Sequence, residues 1–94
     1  MTLTPDVSIA QSRRTASRTI DGRAVVVVID EQKLHTLNPV GTYVWDRADG
    51  RSIAAIVEDV VREFEVEPDR ATADVMQFVE QLVRAGALDV VGRG

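Results

Sequence analysis

The chain has no cysteine and only one histidine, His35, among its 94 residues. The lack of cysteine excludes disulfides and thiolate-ligated metal or iron–sulfur centres. No apolar run approaches the roughly 20 residues that a membrane-spanning helix needs. The N-terminus also lacks the basic segment and apolar segment of a secretory signal. We therefore expect a cytoplasmic protein that does not act at a membrane.

Catalytic motifs are also missing. The sequence contains no HExxH, GxGxxG or GxxxxGK[ST] pattern. Ser12, Ser17 and Ser52 have no histidine or aspartate placed beside them in sequence as a catalytic partner. A lone histidine next to an apolar strand, as His35 is, is more often structural than a ligand or base. These absences favour a binding module over an enzyme, with no metal and no organic cofactor.

The composition is that of a globular domain, with 45% hydrophobic and 28% charged residues. A chain of this length forms one domain and buries roughly 60–65% of its unfolded surface. Residues 1–38 contain five Arg and Lys against four Asp and Glu, and residues 39–94 contain six against eleven. The second half therefore has a net charge of −5, which repels phosphate backbones.

The first half of the chain predicts β-structure. We expect residues 1–11 to be a flexible lead-in and residues 12–91 to form the domain. Residues 12–20 could form a weak edge strand, and Asp21-Gly22 is the signal of a two-residue hairpin turn. Residues 24–29 are mostly β-branched and predict a central strand buried on both faces. With a third strand over residues 33–37, the pattern predicts a three-stranded antiparallel meander.

The second half predicts three helices. Asn38-Pro39 is a cap followed by a proline at the first helical position, and this helix should end by Asp49-Gly50. Ser52 caps a strongly amphipathic second helix that reaches Phe64. A third helix should run from about residue 69 to residue 85, with Gly86 as its C-terminal stop. Residues 88–91 could add a final short strand. Trp45 and Leu37 should be core residues that join the sheet to the helices.

The apolar stripe of the third helix consists of Val75, Phe78, Val79 and Leu82. Met76 and Val83 lie beside it and make it wider than a single contact requires. Two interpretations stay open: the additional apolar surface is simply core, or it lines a groove for a partner. Methionine suits such a groove because its side chain is flexible and polarizable.

The motifs in this order resemble the PqqD family over roughly residues 20–91. The resemblance depends on residues 35–45 (HTLNPVGTYVW), on Asp49-Gly50-Arg51, on the second helix, and on the third helix with Gly86-Ala87-Leu88. It implies a winged-helix-like α+β domain, in which an N-terminal three-stranded antiparallel sheet precedes three helices. Such a domain is a RiPP recognition element. Members of this family are peptide chaperones of pyrroloquinoline quinone and related modified-peptide biosynthesis.

The resemblance implies a non-catalytic function. The domain would bind the leader segment of a ribosomally made precursor peptide and present it to a modifying enzyme, often a radical SAM protein. A meander independently predicts an open strand edge, to which an extended peptide can add as a further strand. We expect the peptide to lie against one strand and one side of the last helix. The expected peptide-binding residues are Leu34, His35, Thr36, Leu37, Val75, Met76, Phe78, Val79, Leu82 and Val83.

Two other functions remain open from sequence. A winged-helix DNA-binding protein would use the third helix for recognition, and that helix should then be rich in basic residues. Here its two arginines, Arg70 and Arg84, are outnumbered by its acidic residues Asp69, Asp74 and Glu80, and the whole second half of the chain is acidic. We therefore expect the leader peptide and the modifying enzyme as partners, and no nucleic acid. The other alternative is an adaptor subunit that binds a folded protein.

Overall fold

The structure is a computed structural model that describes residues 3–93. The described residues form six strands, three α-helices and one short 3₁₀ helix, and the fold is α+β as predicted. In chain order the strands and helices are β1 (Val7–Gln11), β2 (Thr15–Ile20), β3 (Arg23–Val28), β4 (Lys33–Thr36), α1 (Pro39–Asp46), β5 (Asp49–Ser52), α2 (Ile53–Phe64), α3 (Pro68–Arg84) and β6 (Leu88–Arg93).

The strands form two three-stranded antiparallel sheets, ordered β5-β1-β6 and β2-β3-β4. The prediction of a flexible lead-in over residues 1–11 is wrong for residues 7–11, which form the middle strand of the first sheet. Val7 and Ile9 are buried, because residues two apart in a strand face the same side. Residues 1–2 lie outside the described part of the chain.

The second sheet is the predicted meander. Asp21 and Gly22 both have positive φ, 53° and 78°, as the hairpin turn requires. The expectation that β3 is buried on both faces is wrong. Ala24, Val26 and Val28 are buried on one face, whereas Val25 and Val27 are only half-buried on the other. A continuous β-branched run here therefore does not signal a strand that is buried on both faces.

The predicted caps hold the helices in place. The Asn38 side chain accepts a hydrogen bond of 2.7 Å from the backbone N–H of Gly41 at the start of α1. Ser52 accepts one of 3.1 Å from the N–H of Ala55 at the start of α2. After α1, residues 49–52 form β5, although the sequence predicted only a turn there.

The core lies between the sheets and the helices. Trp45 is 1% exposed and Leu37 is 6% exposed, as expected of residues that join the sheet to α1. The indole Nε1–H of Trp45 donates to Ser17 Oγ at 3.2 Å and so ties α1 to β2. Other fully buried side chains come from both halves of the chain: Ile9, Val26, Val44, Ile53, Ile56, Val60, Val75, Val79 and Leu88. Within residues 3–93, no helix is long and apolar enough to cross a membrane.

Candidate functional site

Within residues 3–93, β4 is an edge strand that pairs only with β3. The backbone N–H of Leu37 donates to the carbonyl of Ala24 at 2.8 Å, just beyond the end of the ladder. In an antiparallel pair, hydrogen-bonded and non-hydrogen-bonded residue pairs alternate. The residues of β4 whose backbone groups bond to β3 are therefore those at even spacing from Leu37, such as His35. The N–H and C=O groups of Leu34 and Thr36 consequently point to the open edge.

The opposite side of β3 gives the same alternation. The N–H of Ile29 donates to the carbonyl of Arg14 at 2.8 Å, next to the β2–β3 ladder. Odd-numbered residues of β3 therefore bond to β2, which leaves the even-numbered ones to bond to β4. The hydrogen bonds on the two sides of β3 thus agree that the backbone groups of Leu34 and Thr36 are free to pair with another strand.

A groove of about 510 Å³ runs beside the open edge, between β4 and α3. Leu37, Phe78 and Leu82 contribute apolar surface to this groove, and it also has polar lining residues. The complete lining consists of Leu34, His35, Thr36, Leu37, Asn38, Phe78, Gln81 and Leu82. The β4–α3 groove therefore combines unpaired backbone groups on one side with an apolar helix face on the other.

A second cavity of about 430 Å³ shares Asn38, Phe78 and Gln81 with this groove and lies between α1 and α3. Its remaining lining residues are Val40, Gly41, Val44, Asp74, Val75 and Gln77. Since the two cavities share three residues, they are neighbouring parts of one depression along α3. Asp74 is the only acidic side chain that lines either part.

The position of the Phe78 ring depends on Gly41. A Cβ atom at Gly41 would lie 2.8 Å from Cε1 of Phe78, closer than such atoms approach. Glycine at this position therefore allows α1 to approach α3 closely, and the ring fills the space that a side chain would occupy. The residue that shapes the junction of the two cavities is thus on a different helix from the ring itself.

His35 is the one residue of β4 that is not exposed. It pairs with Val26, which is completely buried, so the two side chains lie on the same face of the sheet. Its Nε2 atom is buried and has no hydrogen-bond partner within residues 3–93. His35 therefore places a buried, unsatisfied nitrogen beside a groove whose other lining residues are both apolar and polar.

Six of the ten predicted site residues line the β4–α3 groove: Leu34, His35, Thr36, Leu37, Phe78 and Leu82. Val75 contacts only the second cavity, and Val79 is 0% exposed in the core. Met76 and Val83 line neither cavity and are half-buried against the core. At about 100° per residue, both lie roughly 140–160° around the helix axis from Phe78. The choice of this edge of the helix as the groove wall is therefore not supported by the geometry.

The sequence analysis missed Asn38, Gly41 and Gln81 as lining residues. Gln81 follows Phe78 by three positions and therefore shares its side of α3. Helical spacing could have identified it if polar residues beside the stripe had been included. Gly41 carries no signal of this kind, because its role depends on an approach between helices that are far apart in sequence.

Both arginines of α3 pair with acids on the same helix. Arg70 Nε lies 3.9 Å from Asp74 Oδ2, and Arg84 Nη2 lies 2.6 Å from Glu80 Oε1. These exposed pairs contribute little to stability. They do, however, neutralise the charges of both arginines, which a DNA-recognition helix would instead use to contact phosphates or bases.

An unpaired strand edge beside an apolar helix face is the arrangement of domains that bind an extended peptide by strand addition. The chain belongs to the PqqD family: the model described as coenzyme PQQ synthesis protein D matches residues 23–88. This match confirms the resemblance seen in the sequence. No curated protein matches the chain.

Two solved structures are similar to this one. The first is TbiB1 in complex with the TbiA(beta) leader peptide, with a TM-score of 0.79 and 22% identity, covering 85% of this chain and 94% of that one. The second is lasso peptide synthetase B1 complexed with the leader peptide, with a TM-score of 0.77 and 22% identity, covering 87% and 98%. At 22% identity, the similarity shows that this chain shares the fold of these two proteins.

Proposed function

We propose that the protein is a non-catalytic peptide chaperone. It binds the leader segment of a ribosomally made precursor peptide and presents it to a modifying enzyme such as a radical SAM protein. The observation that carries the proposal is the open edge of β4, with the backbone groups of Leu34 and Thr36 free, beside the groove on α3. The two similar structures, both of them complexes with leader peptides, support the choice of ligand.

The geometry explains how a peptide of varied sequence can bind. Leu34 and Thr36 offer two N–H and two C=O groups, and each hydrogen bond contributes a net of about 0.5–1.5 kcal/mol. Alternate side chains of the added strand then point into the groove against Phe78 and Leu82. Part of this free energy offsets the ordering of a flexible segment. The affinity therefore depends on both the backbone ladder and the apolar contacts.

The absence of catalysis is part of the proposal. Within residues 3–93, there is no group of three or more His, Asp or Glu side chains that could hold a metal ion. Among the groove-lining residues, His35 and Asp74 are the only titratable ones, and they line different cavities. Metal analysis of the dialysed protein provides a test: less than a tenth of an equivalent is expected. A retained stoichiometric metal would contradict this part of the proposal.

A nuclear magnetic resonance titration tests the binding site. The probe is a synthetic peptide that spans the leader of a precursor encoded beside the gene. We expect amide shift changes along β4 and at Phe78, Gln81 and Leu82 of α3, with little change along α2. Shift changes confined to α2, or saturable binding of duplex DNA at low salt without any peptide binding, would overturn the proposal.

Size-exclusion chromatography with the modifying enzyme separates the adaptor alternative from the chaperone. A chaperone should bind the isolated leader peptide without the enzyme present. A protein that binds the folded enzyme and no leader peptide would instead be an adaptor.

A further inference from the structure

The unpaired Nε2 atom of His35 is the starting observation. It is buried, it has no hydrogen-bond partner in the described chain, and the residue lines the β4–α3 groove. Buried polar groups are nearly always paired, so each exception requires an explanation. The residue lies where the proposed peptide would bind. Because Nε2 has no accessible surface in the unliganded chain, a bound side chain could supply the missing partner once the imidazole turns toward the groove.

The other polar side chains that line the groove, Thr36, Asn38 and Gln81, make no hydrogen bond to Nε2 within residues 3–93. The Oδ1 atom of Asn38 is already engaged by the N–H of Gly41. Three neighbouring lining residues, Leu37, Phe78 and Leu82, have no polar side-chain atoms. An apolar occupant opposite His35 would leave the imidazole nitrogen unsatisfied, which is costly for a buried polar atom.

Strand geometry determines which peptide residue faces His35. Leu34 and Thr36 would make the backbone hydrogen bonds to the added strand, so His35 would lie in a non-hydrogen-bonded position of the new ladder. In an antiparallel ladder such pairs have Cα atoms only about 4.5 Å apart, and their side chains are on the same face. One inward-facing peptide residue would therefore contact the imidazole directly.

We propose that His35 is a specificity-determining residue that selects a neutral hydrogen-bonding side chain, a hydroxyl or an amide, at this one inward position of the leader. This inference rests on the proposed function and refines it. Hydroxyls and amides can both donate and accept, so they match either neutral tautomer of histidine. Sites that present a buried polar group discriminate strongly against a ligand that lacks the complementary group.

The test begins with a selection from a displayed library of random twelve-residue peptides. It is performed on the wild-type protein, on His35→Leu, and on His35→Gln, which keeps a polar group near the position of Nε2. We expect wild-type binders to share Ser, Thr, Tyr, Asn or Gln at one position, flanked two residues away by apolar side chains. The H35L pool should be apolar at that position, and the H35Q pool should again be polar.

The second part measures affinities of individual peptides. In one selected peptide, the polar residue is replaced by an apolar residue of similar size, such as Thr by Val. Binding to the wild-type protein should weaken at least tenfold, and binding to H35L less than twofold. If H35L does not fold, as a melting curve would show, the substitution in the peptide still tests the inference on the wild-type protein alone.

The results separate this inference from the proposed function. A uniform apolar preference at all inward positions, or a tolerated Thr-to-Val change in the peptide, would overturn the role of His35. The chaperone function would then stand if Thr36→Pro abolishes binding of the same peptides. A failure to select any binder, or binders that are insensitive to T36P, would overturn strand addition and the role of His35 together.

Discussion

The backbone N–H of Ala24 donates a hydrogen bond of 2.8 Å to Thr42 Oγ1, in the interior where β3 meets α1. This bond satisfies a donor of β3 that the edge of the ladder leaves free. Thr42→Val keeps the shape of the side chain but leaves the buried N–H unpaired. We expect the free energy of unfolding to fall by about 1–3 kcal/mol in urea denaturation. Thr42→Ser, which keeps the hydroxyl, is the control, and an equal loss in both variants would contradict this role.

The core residues that join the sheet to α1 should dominate stability. Trp45→Ala should cost about 3–5 kcal/mol and Leu37→Ala about 2–5 kcal/mol, because both leave cavities. The matched control is Leu34→Ala, whose side chain is 63% exposed and which should change stability by less than about 0.5 kcal/mol. Thermal melting provides the measurement. Similar midpoints for all three variants would show that the sheet does not depend on α1 for its position.

Thr36→Pro should weaken peptide binding about tenfold or more. Proline removes the N–H that points to the open edge, and its ring obstructs an added strand. The control is Thr19→Pro in β2, at the opposite edge of the same sheet, where the same alternation directs the N–H outward. Titration with a fluorescent leader peptide gives the two dissociation constants. Equal losses in the two variants would indicate a general effect on the sheet and not a lost ladder contact.

Substitutions at two adjacent positions of α3 should have different effects. Phe78→Ala should weaken peptide binding by about 1–2 kcal/mol, or roughly five- to thirtyfold, with a small loss of stability. Val79→Asp should unfold the domain, because Val79 is 0% exposed and an unpaired buried charge is very costly. Calorimetric binding and a melting curve for each variant are the measurements. A folded Val79→Asp variant with normal stability would contradict the described packing of α3.

Gly41→Ala should act on the groove indirectly. The new methyl group would displace the Phe78 ring, which lies 2.8 Å from the position of that carbon. We expect weaker peptide binding, and we expect the loss to be much smaller when Gly41→Ala is combined with Phe78→Ala. Such non-additivity is the signature of two residues that act through one contact. Additive losses would show that Gly41 affects binding by another route.

Local signals were sufficient to predict the meander and the helix starts. The Asp21-Gly22 turn and the Asn38 cap each depend on residues close together in sequence, and the structure confirms both. β1 and β5 were missed because their pairings are long-range. Ser8, for example, pairs with Ser52 and with Gly92. In isolation, residues 49–52 have the composition of a turn.

The candidate groove was predicted in part for a similar reason. An apolar stripe shows which side of α3 is buried, but not which flank of that side lies next to the sheet. Phe78 is at one edge of the stripe and Met76 lies beside the opposite edge, and only the tertiary structure shows which of them is next to the sheet. The unpaired Nε2 of His35 was equally inaccessible to sequence reasoning, because it depends on the environment of one atom.

The middle position of β1 has a practical consequence for work on this domain. The family match covers residues 23–88, so it excludes both β1 and β2. An expression fragment trimmed to the matched residues would lose the strand between β5 and β6, together with the buried side chains of Val7 and Ile9. The recognisable segment of the sequence is therefore smaller than the unit that folds, and fragments should include β1.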